Sequence, residues 1–240
     1  MPKGLQPKGV ARRNKMLFAA VQMFLENGYE KTTTAAIAKG AGMAPSSFFA
    51  AFKDKEELLL SLVQRMFSSQ FENAEEFLGE KKDPLILYGI ETALQLHITE
   101  LSEPLRELYV MAYSLPTTCE YIYKNTSEKL CEIFADYMPE AKAKDFYEMD
   151  IASAGITRGF MAQHCHMYFT IEDKIRRHLQ CCFTLYQVPK EKQDAVIREV
   201  LAVDLRSAAQ KLIEDTIQKA KTGFETVMMT GEVKEAWNKA

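Results

Sequence analysis

Apolar residues recur along this chain at spacings of three and four, the period of an amphipathic helix. Almost nowhere do they alternate in the period-two manner of a strand. Met16, Ala20, Met23 and Phe24 open the series, and Gly28 stops it. Thr33 suits the N-cap of a short helix carrying Ile37, Ala38 and Ala41, which Gly42 breaks. Pro45 fits the first turn of a second short helix, ending near Ala51. A long stripe follows through Leu58, Leu59, Leu62, Val63, Met66, Phe67, Phe71, Ala74, Phe77 and Leu78. Acidic Asp54, Glu56 and Glu57 favour its start, and it should end near 79–83. Pro84, Pro104, Pro116, Pro139 and Pro189 then punctuate the pattern, which predicts helices near 84–101, 104–114, 117–138, 141–168, 171–187 and 190–221. After Gly223 the pattern weakens into a tail with the lone Trp237. The expected fold class is all-α.

Within this series, Lys31–Leu59 packs a short helix, a glycine turn, a second short helix and a charged helix start into about thirty residues. That is the layout by which a helix-turn-helix sets a recognition helix in a major groove. Charge divides at the same place. Residues 1–55 hold nine Lys and Arg against three acids, whereas the whole chain carries a net charge of −3. A basic head on an acidic body predicts that the head meets a polyanion and the body does not. The expected domains are therefore a DNA-binding head over 1–55 and a body over 56–240.

Composition removes other classes. With 47% hydrophobic and 26% charged residues, the chain should bury a sizeable core rather than stay disordered. No apolar run approaches the ~20 residues of a membrane span, and Glu26 and Asn27 interrupt any signal-peptide core, so no membrane partner and a cytoplasmic location are expected. The five cysteines are odd in number and lack CxxC spacing, which predicts reduced thiols. There is no nucleophile–base pair, phosphate-binding glycine loop or HExxH set, so no enzyme and no cofactor are expected. His164 and His166 point apart on a helix, and His178 with Cys182 lacks a third ligand in sequence range, so no metal is expected.

The ordered set Ala19-Ala20, Phe24, Gly28-Tyr29, Thr32-Thr33, Ile37-Ala38, Ala41-Gly42-Met43, Phe49, Phe52, Lys55-Glu56 and Leu58-Leu59 resembles the head of the tetracycline-repressor (TetR) family of bacterial regulators, ungapped across roughly residues 12–60. The resemblance implies a helix-turn-helix joined by a long helix to a helical ligand-binding and dimerisation domain. It also implies a double-stranded DNA operator, a homodimer and a small-molecule effector that loosens DNA binding. On this reading Ala20, Phe24, Ile37, Ala38, Phe48 or Phe49, and Phe52 are core. The DNA-facing candidates are Arg12, Arg13, Thr33, Ser46, Ser47, Phe49, Lys53 and Lys55. Thr33 can cap and also meet a phosphate, Lys53 and Lys55 flank the start of the long helix, and Arg12 and Arg13 either reach the backbone or are simply solvated. Where the family often has Ser and a phosphate-bonding Tyr, this chain has Ala44 and Phe49. No Arg, Asn or Gln stands in the recognition helix to read a base bidentately, which predicts phosphate-dominated affinity with partial reliance on DNA shape.

In the body, a stripe of Val196, Val200, Val203, Ala208, Ala209, Leu212, Ile213 and Ile217, faced by Cys182 and Leu185, is the expected dimer surface; packing within the monomer is the alternative. Met- and aromatic-rich positions suit an apolar or aromatic effector, with Phe67, Tyr109, Tyr113 and Met161 as candidate lining. Arg158 and His164 are polar exceptions in that stretch, Arg158 as an anion anchor or else a surface residue. The function expected is a ligand-responsive regulator, usually a repressor. Competing readings are a small-molecule carrier or enzyme with a vestigial head, and a helical adaptor that binds only protein.

Overall fold

A computed structural model describes residues 7–75 and 83–230, with side chains described over 9–66 and 83–218. Ten α-helices lie among these residues: α1 (Pro7–Asn27), α2 (Thr34–Gly40), α3 (Lys55–Glu75), α4 (Pro84–Thr99), α5 (Glu103–Ala112), α6 (Pro116–Phe134), α7 (Ala143–Ala162), α8 (Ile171–Leu185), α9 (Lys190–Leu201) and α10 (Leu205–Thr230). A single 3-10 turn, Pro45–Ser47, stands between α2 and α3. The tail with Trp237 lies outside the described residues.

The helix starts follow from local chemistry. Pro84, Pro104 and Pro116 occupy first-turn positions, where a missing N–H costs nothing. Asp83 accepts the Leu85 amide at 2.9 Å and Ser102 the Leu105 amide at 3.3 Å. One expected helix is cut short and another is broken in two. The one expected over 141–168 stops at Ala162, because Gln163 turns extended and its carbonyl accepts from Lys174 Nζ. A short crossing follows, in which His166 and Phe169 exchange both backbone hydrogen bonds at 3.0 Å, and Thr170 with Asp173 then forms a capping box for α8. The helix expected over 190–221 breaks after Leu201, and Asp204 caps the restart by accepting the Ser207 amide at 3.2 Å.

Two apolar cores result. The larger is built around α4, which is buried along nearly its whole length under α3, α5, α6, α8, α9 and α10. Phe134 stacks on Tyr186 with centroids 4.2 Å apart, and Tyr88 and Phe183 pack edge-on or tilted against them. The smaller core joins Met16, Phe24, Ile37, Phe48, Phe52 and Leu58 and extends to Val63, so the first two turns of α3 belong to the head's packing. Ile122 of α6 enters this same cluster and ties the head to the body.

The last two helices are not a free face. Val196 and Val200 are 1% exposed, and Cys182 and Ala209 are fully buried inside one chain. Leu185, Ala208 and Leu212 are half-buried against the same core. The reason is a close approach: a Cβ placed on Gly89 of α4 would lie 2.6 Å from Val200 Cγ2. The stripe expected to meet a second copy thus closes the monomer's own core. Val200→Asp should therefore cost on the order of 3–5 kcal/mol in urea unfolding, as an uncompensated buried charge. A variant that stays fully stable but becomes monomeric would contradict this packing.

Candidate nucleic-acid interface

The head is assembled from its turns. Gly28 ends α1 at φ 83°, and the Thr32 hydroxyl then donates to the Gly28 carbonyl at 2.7 Å. Thr33 Oγ1 accepts the Ala36 amide at 3.1 Å, the expected cap of α2. Gly42, at φ 72°, has nothing within 4 Å of a Cβ, so the backbone angle and not the space calls for glycine. The reading helix expected to reach Ala51 is shorter. It is a 3-10 turn at Pro45–Ser47, continued by hydrogen bonds from the Ala51 and Phe52 amides to the Phe48 carbonyl at 2.8 and 2.9 Å. Ala44 supplies no side-chain cap and the two serines are weak helix formers, while fully buried Phe48 pins the turn to the core.

Two cations expected at phosphates are turned inward. Arg13 donates to the Ala51 carbonyl at 2.7 Å, to Glu57 Oε1 at 3.0 Å and to Ser61 Oγ at 2.8 Å, with its guanidinium 4.1 Å from the Phe52 ring centre. Lys55 Nζ donates to the Tyr29 and Thr32 carbonyls at 2.8 and 3.1 Å and sits 4.1 Å over the Tyr29 ring. Burial lowers its pKa, against the opposing pull of Glu107 and Glu30. Carbonyls left open beyond the Gly28 stop explain its direction. The start of α3 is also occupied: Asp54 accepts the Glu57 amide at 2.8 Å and Glu57 accepts the Lys53 amide at 2.7 Å. What remains outward is Thr33, Ser46, Phe49, Ala50 and the cations Lys31, Lys39 and Lys53, with Arg12 and Ser47 half-buried.

This geometry coincides with a known head. The profile described as "Bacterial regulatory proteins, tetR family" matches residues 17–62. Residues 17–62 thus carry the head of the tetR family of bacterial regulatory proteins. A relative, the fatty acid metabolism regulator protein of Bacillus subtilis (strain 168), is 37% identical over 67 residues, which is 28% of this chain and 34% of that protein. The match thus spans about a third of that relative's length. Two solved structures share the fold. SmeT, the repressor of the Stenotrophomonas maltophilia multidrug efflux pump SmeDEF, aligns at 18% identity and TM-score 0.50, over 72% of this chain and 88% of that one. RolR in complex with resorcinol aligns at 16% identity and TM-score 0.54, over 85% and 93%. Among the described residues, no helix is long and apolar enough to cross a membrane.

The body behind this tetR-type head is less dry than its sequence suggests. Met161 and Tyr109 are buried as expected, and the half-buried Tyr113 donates to Gln95 Oε1 at 3.1 Å, while Gln95 bonds the buried Glu91. Burial, then Glu91, raises the pKa of both tyrosines. Phe67 lies outside the described side chains. Arg158 is exposed, because Ala154, Thr157 and Met161 take the inward phase of α7. His164 lies beyond that helix, 3.3 Å from Glu103 and 3.5 Å from Arg106 at the surface. Neither reaches the body's interior.

Polar groups fill part of that interior, and of these only His178 and Cys182 stood out in the sequence. Arg106, 6% exposed, pairs with Glu100 at 3.0 Å, and the fully buried Lys174 bonds the same carboxylate. Asp150 accepts from Ser153 Oγ at 2.6 Å and from Thr126, and burial raises its pKa. His178 Nε2 lies 2.9 Å from Thr157 Oγ1 and 3.6 Å from Cys182 Sγ, with Nδ1 unpartnered. The one available signal was phase. Lys174, His178 and Cys182 stand four apart in step with Ile175, Leu179 and Phe183, so the buried face of α8 carries them. Among the described residues, no three His, Cys, Asp or Glu come together as a metal site.

Arg13→Lys should destabilise the protein by about 1.5–3 kcal/mol in urea unfolding, since an ammonium cannot serve all three acceptors of the planar fork. A loss below about 0.5 kcal/mol would show that these bonds carry little. His178 gives a pH prediction. Burial lowers its pKa from 6.5 to about 3. Below 6.5 the unfolded chain takes the proton first, so stability falls as pH drops through that window, by up to about 2 kcal/mol at pH 5. Asp150 works the other way, its folded carboxyl being eased by protonation. Between pH 7 and about pH 5 the wild type should lose more stability than His178→Gln; equal losses would contradict the buried, neutral imidazole.

Proposed function

We propose that this DNA-binding transcriptional regulator is a homodimeric repressor released from its operator by a small, largely apolar or aromatic effector. The head carries the reading: a tetR-family fold whose outward side offers lysines and hydroxyls but no bidentate base reader. Affinity then comes mostly from phosphates and counterion release. RolR, a fold neighbour, was solved with resorcinol, and the aromatic body here, with Tyr109 and Tyr113 beside Gln95 and Glu91, suits an effector of that general kind.

With the α9–α10 stripe used inside the monomer, α7 is the better candidate for the dimer contact. Ile151 is 48% exposed, and Ala152, Gly155, Gly159 and Ala162 are exposed along the same helix. A Cβ at Gly155 or Gly159 would meet nothing within 4 Å. Each glycine costs a helix interior about 1 kcal/mol relative to Ala. The single chain gives no packing reason for either, and close approach of a second backbone supplies one. Coupling to the head has a candidate route through α5. Glu107 accepts the Glu30 amide at 2.6 Å, one residue after Arg106 enters the buried ionic group with Glu100 and Lys174. An effector that prefers a displaced α5 would move the head, within the ~1–3 kcal/mol usual for allosteric coupling.

The shortened reading turn favours one competitor, a helical small-molecule-binding protein or enzyme with a vestigial head. A gel shift on DNA from upstream of the chain's own reading frame separates them. The regulator should retard that DNA with a steep salt dependence, and Lys53→Ala should weaken binding across sequences and lower the log–log salt slope by about 1. No retardation of any duplex in dilute buffer would overturn the reading. Gly159→Glu should leave a folded monomer, seen by light scattering, that no longer binds; an unchanged dimer would remove α7 from the contact.

A further inference from the structure

Phe49 is the one large apolar side chain on the reading turn that does not enter the core, and it is 65% exposed. Its neighbour Phe48 is fully buried and meets it edge-on, with centroids 5.5 Å apart. The backbone beneath is fixed from both ends. The Ser47 amide donates to the Ala44 carbonyl at 2.9 Å, and the Ala51 carbonyl is held by Arg13 at 2.7 Å. Phe49 is therefore a positioned tip and not a loose ring. Ala44, Pro45 and Ala50 are exposed around it, so the only side-chain hydroxyl on the exposed part of the turn is that of Ser46.

Cationic Lys53 stands four residues on, and the first 55 residues carry six more positive than negative charges, so a phosphate-walled groove is the complementary surface. In the major groove every base edge presents donors or acceptors, and one also carries an apolar group. That group is the C5-methyl of thymine, which stands beside its O4 acceptor. A tip without donors would strip water from G, C or A without replacing its bonds, whereas at thymine it covers a methyl group. We propose that Phe49, flanked by Ala44 and Ala50, is a specificity-determining residue that reads thymine methyl groups in the operator's major groove. The inference rests on the DNA-binding reading of the head.

The test uses the intact protein and a duplex it enriches from a random-sequence DNA pool. That duplex is then remade with deoxyuridine in place of thymidine at successive half-site positions, which keeps the pairing and removes only the methyl. Affinity should fall by about four-fold at each contacted position, the effect of one buried methyl group. Phe49→Ala should bind both versions alike, with an unchanged salt slope, while Phe49→Leu should keep part of the preference. Wild-type protein that binds the thymidine and deoxyuridine duplexes equally would overturn the proposal while leaving DNA binding intact. So would a Phe49→Ala variant that retains the wild-type preference, or one that loses all affinity while the wild type ignores the methyl, as a minor-groove wedge would. If no duplex is enriched or retarded, the DNA-binding reading falls as well.

Discussion

The guanidinium of Arg13 ties together three pieces of chain above the apolar core that they share. It reaches from α1 to the Ala51 carbonyl on the reading turn and to Glu57 and Ser61 on α3, and it lies on the face of Phe52. A turn of three 3-10 residues has too few internal hydrogen bonds to hold a shape alone. Buried Phe48 and Phe52 anchor it from below, and Arg13 closes it from the side. With the turn fixed, whatever it exposes is exposed in one arrangement, and ordering need not be repeated on each binding event.

The same economy governs the other charges of the head. Lys55 satisfies carbonyls at the end of α1, and Glu57 with Asp54 caps the start of α3. Positive charge is therefore divided between cations that build the head and cations left to meet phosphate. Glu107 extends the network into the body at the Gly28 turn, where a Cβ on Gly28 would lie 2.2 Å from its carboxylate. Head and body thus meet through this hydrogen bond, through Ile122 and through Leu108, Met111 and Tyr121 packed on the head's core, contacts that a shift of α5 or α6 would alter together.

Much of this is legible in the sequence. Prolines and capping residues located most of the helix starts, because they act through the backbone within a few residues. Phe24 and Ile37 are readable as core from their phase, and Phe52 from the resemblance of the head. The failures share a cause. A stripe such as Val196–Val200–Ala209 says that a face is buried but not by what, and here α4 covers it through Gly89. Arg13, Lys55 and Lys174 look like solvated charges in sequence because their acceptors are 38, 26 and 74 residues away. Apolar neighbours left Arg158 open as an anion anchor or a surface residue, and its own phase on α7 is outward. Non-local partners leave no local mark.

Native-state hydrogen exchange on the protein without DNA tests the central claim most directly. If Arg13 and the buried phenylalanines hold a finished reading turn, the amides of Ser47, Phe48, Ala51 and Phe52 should exchange only with the unfolding of the head, at protection close to that of Ile37 and Ala41 in α2. Fast exchange of those four amides, with protection appearing only when duplex is added, would contradict the account, because the turn would then be shaped by DNA and not by the chain.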